Sequence, residues 1–84
     1  MTPELKKDII MICQVLLPEC SEQQATALIL FYLYGRKRAA LLMGLEANSV
    51  RDYVYRARLK LKKTNKTDDV EHLIIKKILQ KSHY

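Results

Sequence analysis

The chain has 84 residues, of which 49% are apolar, and a formal net charge of +6. This length allows one domain with one modest core and leaves little room for an enclosed substrate pocket, so binding is a better expectation than catalysis. The positive charge favours an anionic partner, and the presence of only two glycines and two prolines favours long uninterrupted helices.

The cysteines and the apolar segments indicate a cytoplasmic protein. No stretch approaches the roughly 20 consecutive apolar residues that a membrane span requires, and the N-terminus lacks the pattern of a secretion signal. Cys13, Cys20, His72 and His83 do not have the spacing of metal ligands. We therefore expect reduced cysteines in the core, no membrane association, no metal and no cofactor.

The first predicted helix covers residues 3–17 and precedes the rest of the fold as an extra element. Thr2 is a capping residue and Pro3 suits the first helical position. An apolar stripe follows at spacings of three and four, formed by Leu5, Ile9, Ile12, Cys13 and Leu16. Pro18 ends this helix, because proline disfavours helical geometry in the residue before it.

The second predicted helix opens with a capping box, in which Ser21 is the cap and Gln24 lies three residues later. Its apolar stripe consists of Ala25, Leu28, Ile29, Tyr32 and Leu33. Leu30 and Phe31 make the helix apolar on nearly all sides, which predicts a central position in the core, and Gly35 marks its end.

Three further helices complete the expected fold. They are a short helix over 37–43, a longer helix over about 47–63, and a last helix over 68–81 that is capped within Thr67-Asp68-Asp69. The sequence contains no strand candidate and no internal repeat. The predicted fold class is all-α, a single domain formed by a small bundle of about five helices that contains a helix-turn-helix.

The short helix, its turn and the longer helix meet the physical requirements of a helix-turn-helix. Ala39 and Ala40 are small enough for close helix packing, and Gly44 can adopt the positive φ of a tight turn. Asn48 or Ser49 is the expected cap of the longer helix. The expected inner stripe of that helix is Val50, Tyr53, Val54, Ala57 and Leu61.

Positive charge is concentrated in this segment. Residues 36–66 contain ten basic and two acidic side chains, a net charge of +8, whereas the rest of the chain sums to −2. A charged helix face is ordinarily only a solvated surface. Here the charge coincides with a helix-turn-helix pattern, so phosphate neutralisation is the favoured explanation.

The run G-L-E-A-N-S-V-R-D-Y-V over residues 44–54 resembles the helix-turn-helix of LuxR-type (GerE-type) DNA-binding domains. Lys60-Leu61 and the run N-K-T-D-D-V over 65–70 are similar to that family's motifs at the same spacing. The resemblance covers residues 20–80 and implies a recognition helix at 47–63 and a dimerisation helix at 68–81. Residues 21–24 and 36–40 depart from the family pattern.

A second resemblance leaves an alternative open. Leu17-Pro18, the run F-Y-L-Y-G over 31–35 and the run R-A-R-L-K-L over 56–61 are similar to region 4 of extracytoplasmic-function sigma factors. That region ends with its recognition helix and does not explain residues 67–78. The LuxR-type interpretation is therefore preferred.

The LuxR-type resemblance assigns roles to individual residues. Arg51, Asp52 and Tyr55 match positions that face bases in the major groove, where Arg51 suits guanine and Asp52 suits the cytosine amino group. An intrahelical pair between Asp52 and Arg56 is the alternative for this acid. The expected phosphate contacts are Arg36, Lys37, Arg38, Asn48, Ser49, Arg56, Lys60 and Lys63.

The resemblance also implies a homodimer, which would place two recognition helices one DNA turn apart. The expected dimer residues are Val70, Leu73, Ile74 and Ile78. The extra N-terminal helix is an alternative dimer surface. Leu59 lies on the outer face of the recognition helix, where it either touches a thymine methyl or packs on a partner.

Together these features predict a non-enzymatic, sequence-specific transcription regulator that binds double-stranded DNA as a homodimer. The alternative is a protein-interaction module of the same fold that docks on another regulator or on RNA polymerase.

Overall fold

The computed structural model describes residues 3–81 and contains five α-helices. These are α1 (Pro3–Leu16), α2 (Glu22–Tyr34), α3 (Arg36–Met43), α4 (Ala47–Asn65) and α5 (Val70–Lys81). No strand occurs among the described residues, and the predicted all-α bundle of five helices is confirmed. No helix in this part of the chain has the length and apolar character needed to cross a bilayer.

Helix α2 lies at the centre of the bundle and packs against α1, α3 and α4. Six consecutive residues, 25–30, are buried, so the prediction of a helix that is apolar on nearly all sides is confirmed. The capping box is also present, because Gln24 N–H donates to Ser21 Oγ and Ser21 N–H donates to Gln24 Oε1, each at 3.2 Å. Tyr32 and Leu33 were expected in the buried stripe but are exposed.

Helix α1 packs on α2 through a face that differs in part from the predicted stripe. Cys13 is buried, as is Leu17 just after the helix. Ile12 and Leu5 were expected on the buried side but are more than half exposed. Apolar residues occupy every position from Ile9 to Cys13, so their spacing permits more than one stripe. Thr2, the expected cap, lies outside the described residues.

A polar cluster around Glu19 joins the α1–α2 connection to α4 and α5. Asn65 Nδ2 donates to Glu19 Oε2 at 3.0 Å, and Lys77 Nζ lies 3.7 Å from Glu19 Oε1. Desolvation raises the pKa of Glu19, but the Asn65 hydrogen bond, a backbone hydrogen bond and Lys77 outweigh it, so the pKa lies below its ordinary value. The cluster therefore favours the charged carboxylate in the folded chain.

Both cysteines are unoxidised residues of the core. Burial raises the pKa of the Cys13 thiol, and the neighbouring Thr26 hydroxyl acts in the opposite direction. Burial and then the Glu19 charge raise the pKa of the Cys20 thiol, against the opposing charges of Lys60 and Lys77. A raised pKa keeps a thiol protonated and unreactive, which fits a packing role for both side chains.

Candidate nucleic-acid interface

A single residue, Gly35, connects α2 to α3. Its N–H donates to the Phe31 carbonyl at 2.9 Å, while its carbonyl accepts from Ala39 N–H at 3.0 Å. Gly35 has φ 87° and ψ 169°, a conformation that side chains disfavour. This connection places the predicted phosphate contacts Arg36, Lys37 and Arg38, all exposed, in the first turn of α3.

The turn between α3 and α4 is closed by Gly44 in the left-handed conformation, at φ 68° and ψ 34°. Gly44 N–H donates to the Leu41 carbonyl at 3.3 Å and Leu45 N–H donates to the Ala40 carbonyl at 2.9 Å. These two bonds form a Schellman motif, which satisfies the last carbonyls of α3. The predicted role of Gly44 is confirmed.

The start of α4 differs from the prediction. The N-cap position is Glu46, which makes no side-chain capping bond, and Asn48 and Ser49 lie inside the first turn. The prediction that Asn48 or Ser49 caps this helix is therefore wrong. Helix α3 likewise begins without a side-chain cap, so both helices of the motif start with uncapped backbone N–H groups.

The inner face of α4 agrees with the prediction. Val50, Val54, Ala57 and Leu61 are buried and Tyr53 is half-buried. Ala39 and Ala40 of α3 are buried as well, as expected of small residues at a close helix contact. This packing fixes the direction in which the opposite side chains of α4 point.

The exposed side of α4 is called the outer face here. Its residues are Asn48, Arg51, Asp52, Tyr55, Arg56, Leu59, Lys62 and Lys63, all exposed. The three residues predicted to contact bases therefore share one solvent-facing surface, on which the Tyr55 ring is 64% exposed. Leu59 is exposed on the same surface, as predicted.

Asp52 makes no ion pair with Arg56 within 4 Å. The two ion pairs among residues 3–81 are Arg58–Glu71, at 3.5 Å, and Lys77–Glu19. Neither uses a residue of the outer face. No cation of the outer face therefore lies within 4 Å of a carboxylate oxygen among residues 3–81.

The eight predicted phosphate contacts fall into separate groups. Arg36, Lys37 and Arg38 lie on α3, whereas Asn48, Arg56 and Lys63 lie on the outer face. Ser49 is half-buried. Lys60 lies on the flank of α4 that faces the α1–α2 connection. There its charge partly offsets the effect of burial, which raises the pKa of the Cys20 thiol.

Lys62, a basic residue of the outer face, was not included among the predicted site residues. Lys62 lies about three turns after Arg51 on the same side of α4 and is exposed, so helical spacing alone would have added it. Arg38 stacks on the Tyr34 ring, with the guanidinium carbon 5.7 Å from the ring centre. This contact brings Tyr34 to the edge of the basic surface.

The predicted dimer residues of α5 require a correction. Val70 and Ile74 are buried in the core of the same chain, and Leu73 and Ile78 are half-buried against it. Because the bundle covers Val70 and Ile74, these two side chains are not available to a partner chain, whereas Leu73 and Ile78 are partly exposed. Asp69 caps α5, accepting from His72 N–H at 2.9 Å, so the cap lies in the predicted segment 67–69. The helix begins at Val70, two residues after the predicted start.

Comparisons with known proteins add no relative. No family model, no curated protein and no solved structure matches the chain.

Proposed function

We propose that the protein is a sequence-specific transcription regulator of the cytoplasm that binds double-stranded DNA through α4, without catalysis and without a cofactor. The observation that carries this proposal is the unpaired outer face of α4, a solvent-facing row of basic and aromatic side chains on the second helix of a helix-turn-helix. Such a helix fits the width of the major groove.

The charge distribution supports a polyanionic partner. The net charge of +8 over residues 36–66 contrasts with −2 elsewhere. Three of these cations occupy the first turn of α3, where each one is unfavourable to the helix dipole by a few tenths of a kcal/mol. A nearby phosphate group would offset this cost, because both the cations and the helix N-terminus attract an anion.

The proposed roles follow from the position of each residue on α3 or on the outer face of α4. Arg51, Asp52 and Tyr55 read base edges from the first half of α4, and Arg51 donates two hydrogen bonds to one guanine. Arg36, Lys37, Arg38 and Arg56 hold the phosphate backbone and fix the register. The similarity of residues 44–54 and 65–70 to LuxR-type domains supports the same assignment.

A homodimer remains part of the proposal, with a different surface from the one expected. Met11, Ile12 and Val15 of α1 are each more than half exposed, whereas Val70 and Ile74 of α5 are buried in their own chain. An apolar helix face of this kind suits a second copy of the chain. We therefore assign the dimer contact to α1.

A protein partner is the second candidate function. Leu41 of α3 is 80% exposed, and Leu33 and Tyr34 at the end of α2 are more than half exposed. Apolar side chains exposed around the first helix of the motif suit a protein surface better than a phosphate backbone. In this alternative the chain docks on another regulator or on RNA polymerase.

The proposal is tested by measuring fluorescence anisotropy with mixed-sequence duplexes at increasing salt. Contacts to six or more phosphates predict a loss of affinity of about a thousandfold between about 50 and 200 mM salt. Lys37→Ala should weaken binding to every duplex, whereas Arg51→Ala should relax selection at one base position.

Lys76→Ala is the matched control, because Lys76 is another exposed helical lysine but lies on α5. DNA binding is rejected if no duplex binds at low salt. It is also rejected as a property of the basic segment if Lys76→Ala weakens binding as much as Lys37→Ala does.

A further inference from the structure

Arg38, one of the three cations in the first turn of α3, lies over the ring of Tyr34, the last residue of α2. The guanidinium carbon is 5.7 Å from the ring centre, which is within the range of a cation–π contact. Among residues 3–81 no other cation lies over an aromatic ring. Arg38 therefore differs from Arg36 and Lys37 in having a partner that restricts its side chain.

The contact spans the connection between α2 and α3. Gly35 N–H donates to the Phe31 carbonyl at 2.9 Å, and Ala39 N–H donates to the Gly35 carbonyl at 3.0 Å. These bonds continue the helical hydrogen bonding on both sides of the connection. The backbone therefore holds Tyr34 and Arg38 in place, and the contact restricts the remaining rotation of their side chains.

The contact uses the face of the guanidinium and leaves its edge available. The five N–H donors of an arginine lie in the guanidinium plane, so stacking on a ring does not occupy them. No carboxylate oxygen lies within 4 Å of Arg38 among residues 3–81, and both partners are exposed. Arg38 is therefore restricted in its motion and still able to donate two hydrogen bonds to one phosphate group.

A side chain that is held before binding contributes more to affinity. A long basic side chain that moves freely in solution loses rotational freedom when it binds a phosphate, and this loss weakens binding. Because the Tyr34 ring already restricts Arg38, less freedom is lost when the phosphate contact forms. The phosphate contact of Arg38 should therefore be stronger than that of a freely moving cation at the same position.

We propose that Tyr34 is a positioning residue of the DNA interface, whose ring holds the Arg38 guanidinium on the basic surface for contact with a phosphate of double-stranded DNA. Arg38 makes the contact, and Tyr34 acts through Arg38 without binding the duplex itself. The inference rests on the proposed function, in which Arg38 binds the phosphate backbone. Tyr34 lies outside the basic segment 36–66, so the charge pattern alone assigns it no role.

NMR of the free chain tests the contact itself. An aromatic ring shifts the signals of protons above its face upfield, so the side-chain protons of Arg38 should show such a shift. Tyr34→Leu removes the ring and should abolish the shift, whereas Tyr34→Phe keeps the ring and should preserve it. Identical Arg38 side-chain signals in the wild-type chain and in Tyr34→Leu would overturn the proposal.

Fluorescence anisotropy with a labelled mixed-sequence duplex tests the role in binding. Tyr34→Leu should raise the Kd about two- to fivefold, and Tyr34→Phe should bind like the wild-type chain. Tyr32→Leu is the matched control and should leave the Kd unchanged, because Tyr32 is another exposed tyrosine of α2 but has no cation over its ring among residues 3–81. Thermal unfolding of each variant verifies that it is folded.

The salt dependence separates a positioning role from a direct contact. Arg38→Ala removes one phosphate contact and should reduce the slope of log Kd against log salt by about 0.9. Tyr34→Leu removes no charge and should leave this slope unchanged, although it weakens binding. In a chain that already carries Arg38→Ala, Tyr34→Leu should have no further effect on the Kd.

These measurements distinguish failure of the positioning role from failure of the proposed function. If the wild-type chain binds no duplex at low salt, DNA binding is rejected and the role of Tyr34 is rejected with it. If the wild-type chain binds and Tyr34→Leu binds equally well, only the positioning role is rejected. An equal loss of affinity from Tyr34→Leu with and without Arg38 also rejects it, because Tyr34 would then act independently of Arg38.

Discussion

The basic unit, residues 36–66, differs from the scaffold formed by α1, α2 and α5 in how its helices begin. In the scaffold, α2 opens with the reciprocal bonds of Ser21 and Gln24, and α5 opens with Asp69. In the basic unit, α3 and α4 both begin without a side-chain cap, and α3 begins with three cations. The contrast lies in the helix starts: α2 and α5 carry side-chain caps, whereas α3 and α4 do not.

This contrast fits the DNA-binding role proposed for residues 36–66. Unfavourable local choices are expected at functional surfaces, because the residues that bind a partner are not those that best stabilise a helix. The basic unit obtains its stability from the inner face of α4, which packs on α2 and α3. Its exposed residues are therefore free to serve binding.

The largest expected effect separates the two faces of α4. Leu61→Ala removes a fully buried side chain and should lower the free energy of unfolding by about 2–5 kcal/mol. Leu59→Ala, on the outer face of the same helix, should change it by less than about 0.5 kcal/mol. Urea unfolding followed by circular dichroism measures both values. Similar losses in the two variants would contradict the assignment of inner and outer faces.

A smaller effect tests the contrast in capping. Ser21→Ala removes the cap of α2 and should lower the free energy of unfolding by about 0.5–2 kcal/mol. Asn48→Ala should leave stability unchanged or raise it slightly, because Asn48 lies inside the helix and alanine is the better helix former. If Asn48→Ala destabilises the chain as much as Ser21→Ala, then α4 is capped and the contrast fails.

The smallest effect concerns pH and the Glu19 cluster, which ties the scaffold to the end of α4. Because the pKa of Glu19 is lowered in the folded chain, its contribution is present above the unfolded pKa of about 4.3. The contribution is lost as pH falls through the lower folded value. Glu19→Gln should therefore lower the free energy of unfolding near neutral pH. It should also remove the part of the loss of stability at low pH that comes from protonation of Glu19.

Free energies of unfolding measured between about pH 3 and pH 7 test this expectation. Glu22→Gln is the control, because Glu22 is exposed and forms no ion pair among residues 3–81. An equal change in the pH dependence of both variants would show that the Glu19 cluster has no special role.

Much of the fold was predictable because its signals are local. The capping box of α2, the cap of α5, the turn at Gly44 and the inner stripe of α4 each depend on spacings within one element or one turn. These features were predicted correctly. They require no knowledge of which helix packs on which.

The predictions failed where the packing of other parts of the chain, and not local spacing, determines which residues are buried and where a helix ends. The spacing of apolar residues in α1 allows several stripes, and packing against α2 selects one that leaves Ile12 exposed. The end of α4 was predicted at 63 but lies at Asn65, because Lys66 adopts the left-handed conformation that a glycine would have indicated. The burial of Val70 and Ile74 likewise depends on how several helices meet.

The single-residue connection at Gly35 has a mechanical consequence for the basic unit. A longer loop would let α3 tilt while α2 stayed still, but here α3 can change direction only if the dihedral angles of Gly35 change. Its bonds to Phe31 and Ala39 oppose that change from both sides. A change in the direction of α3 therefore strains these two bonds, so the orientation of α3 is coupled to that of α2, the central helix of the bundle.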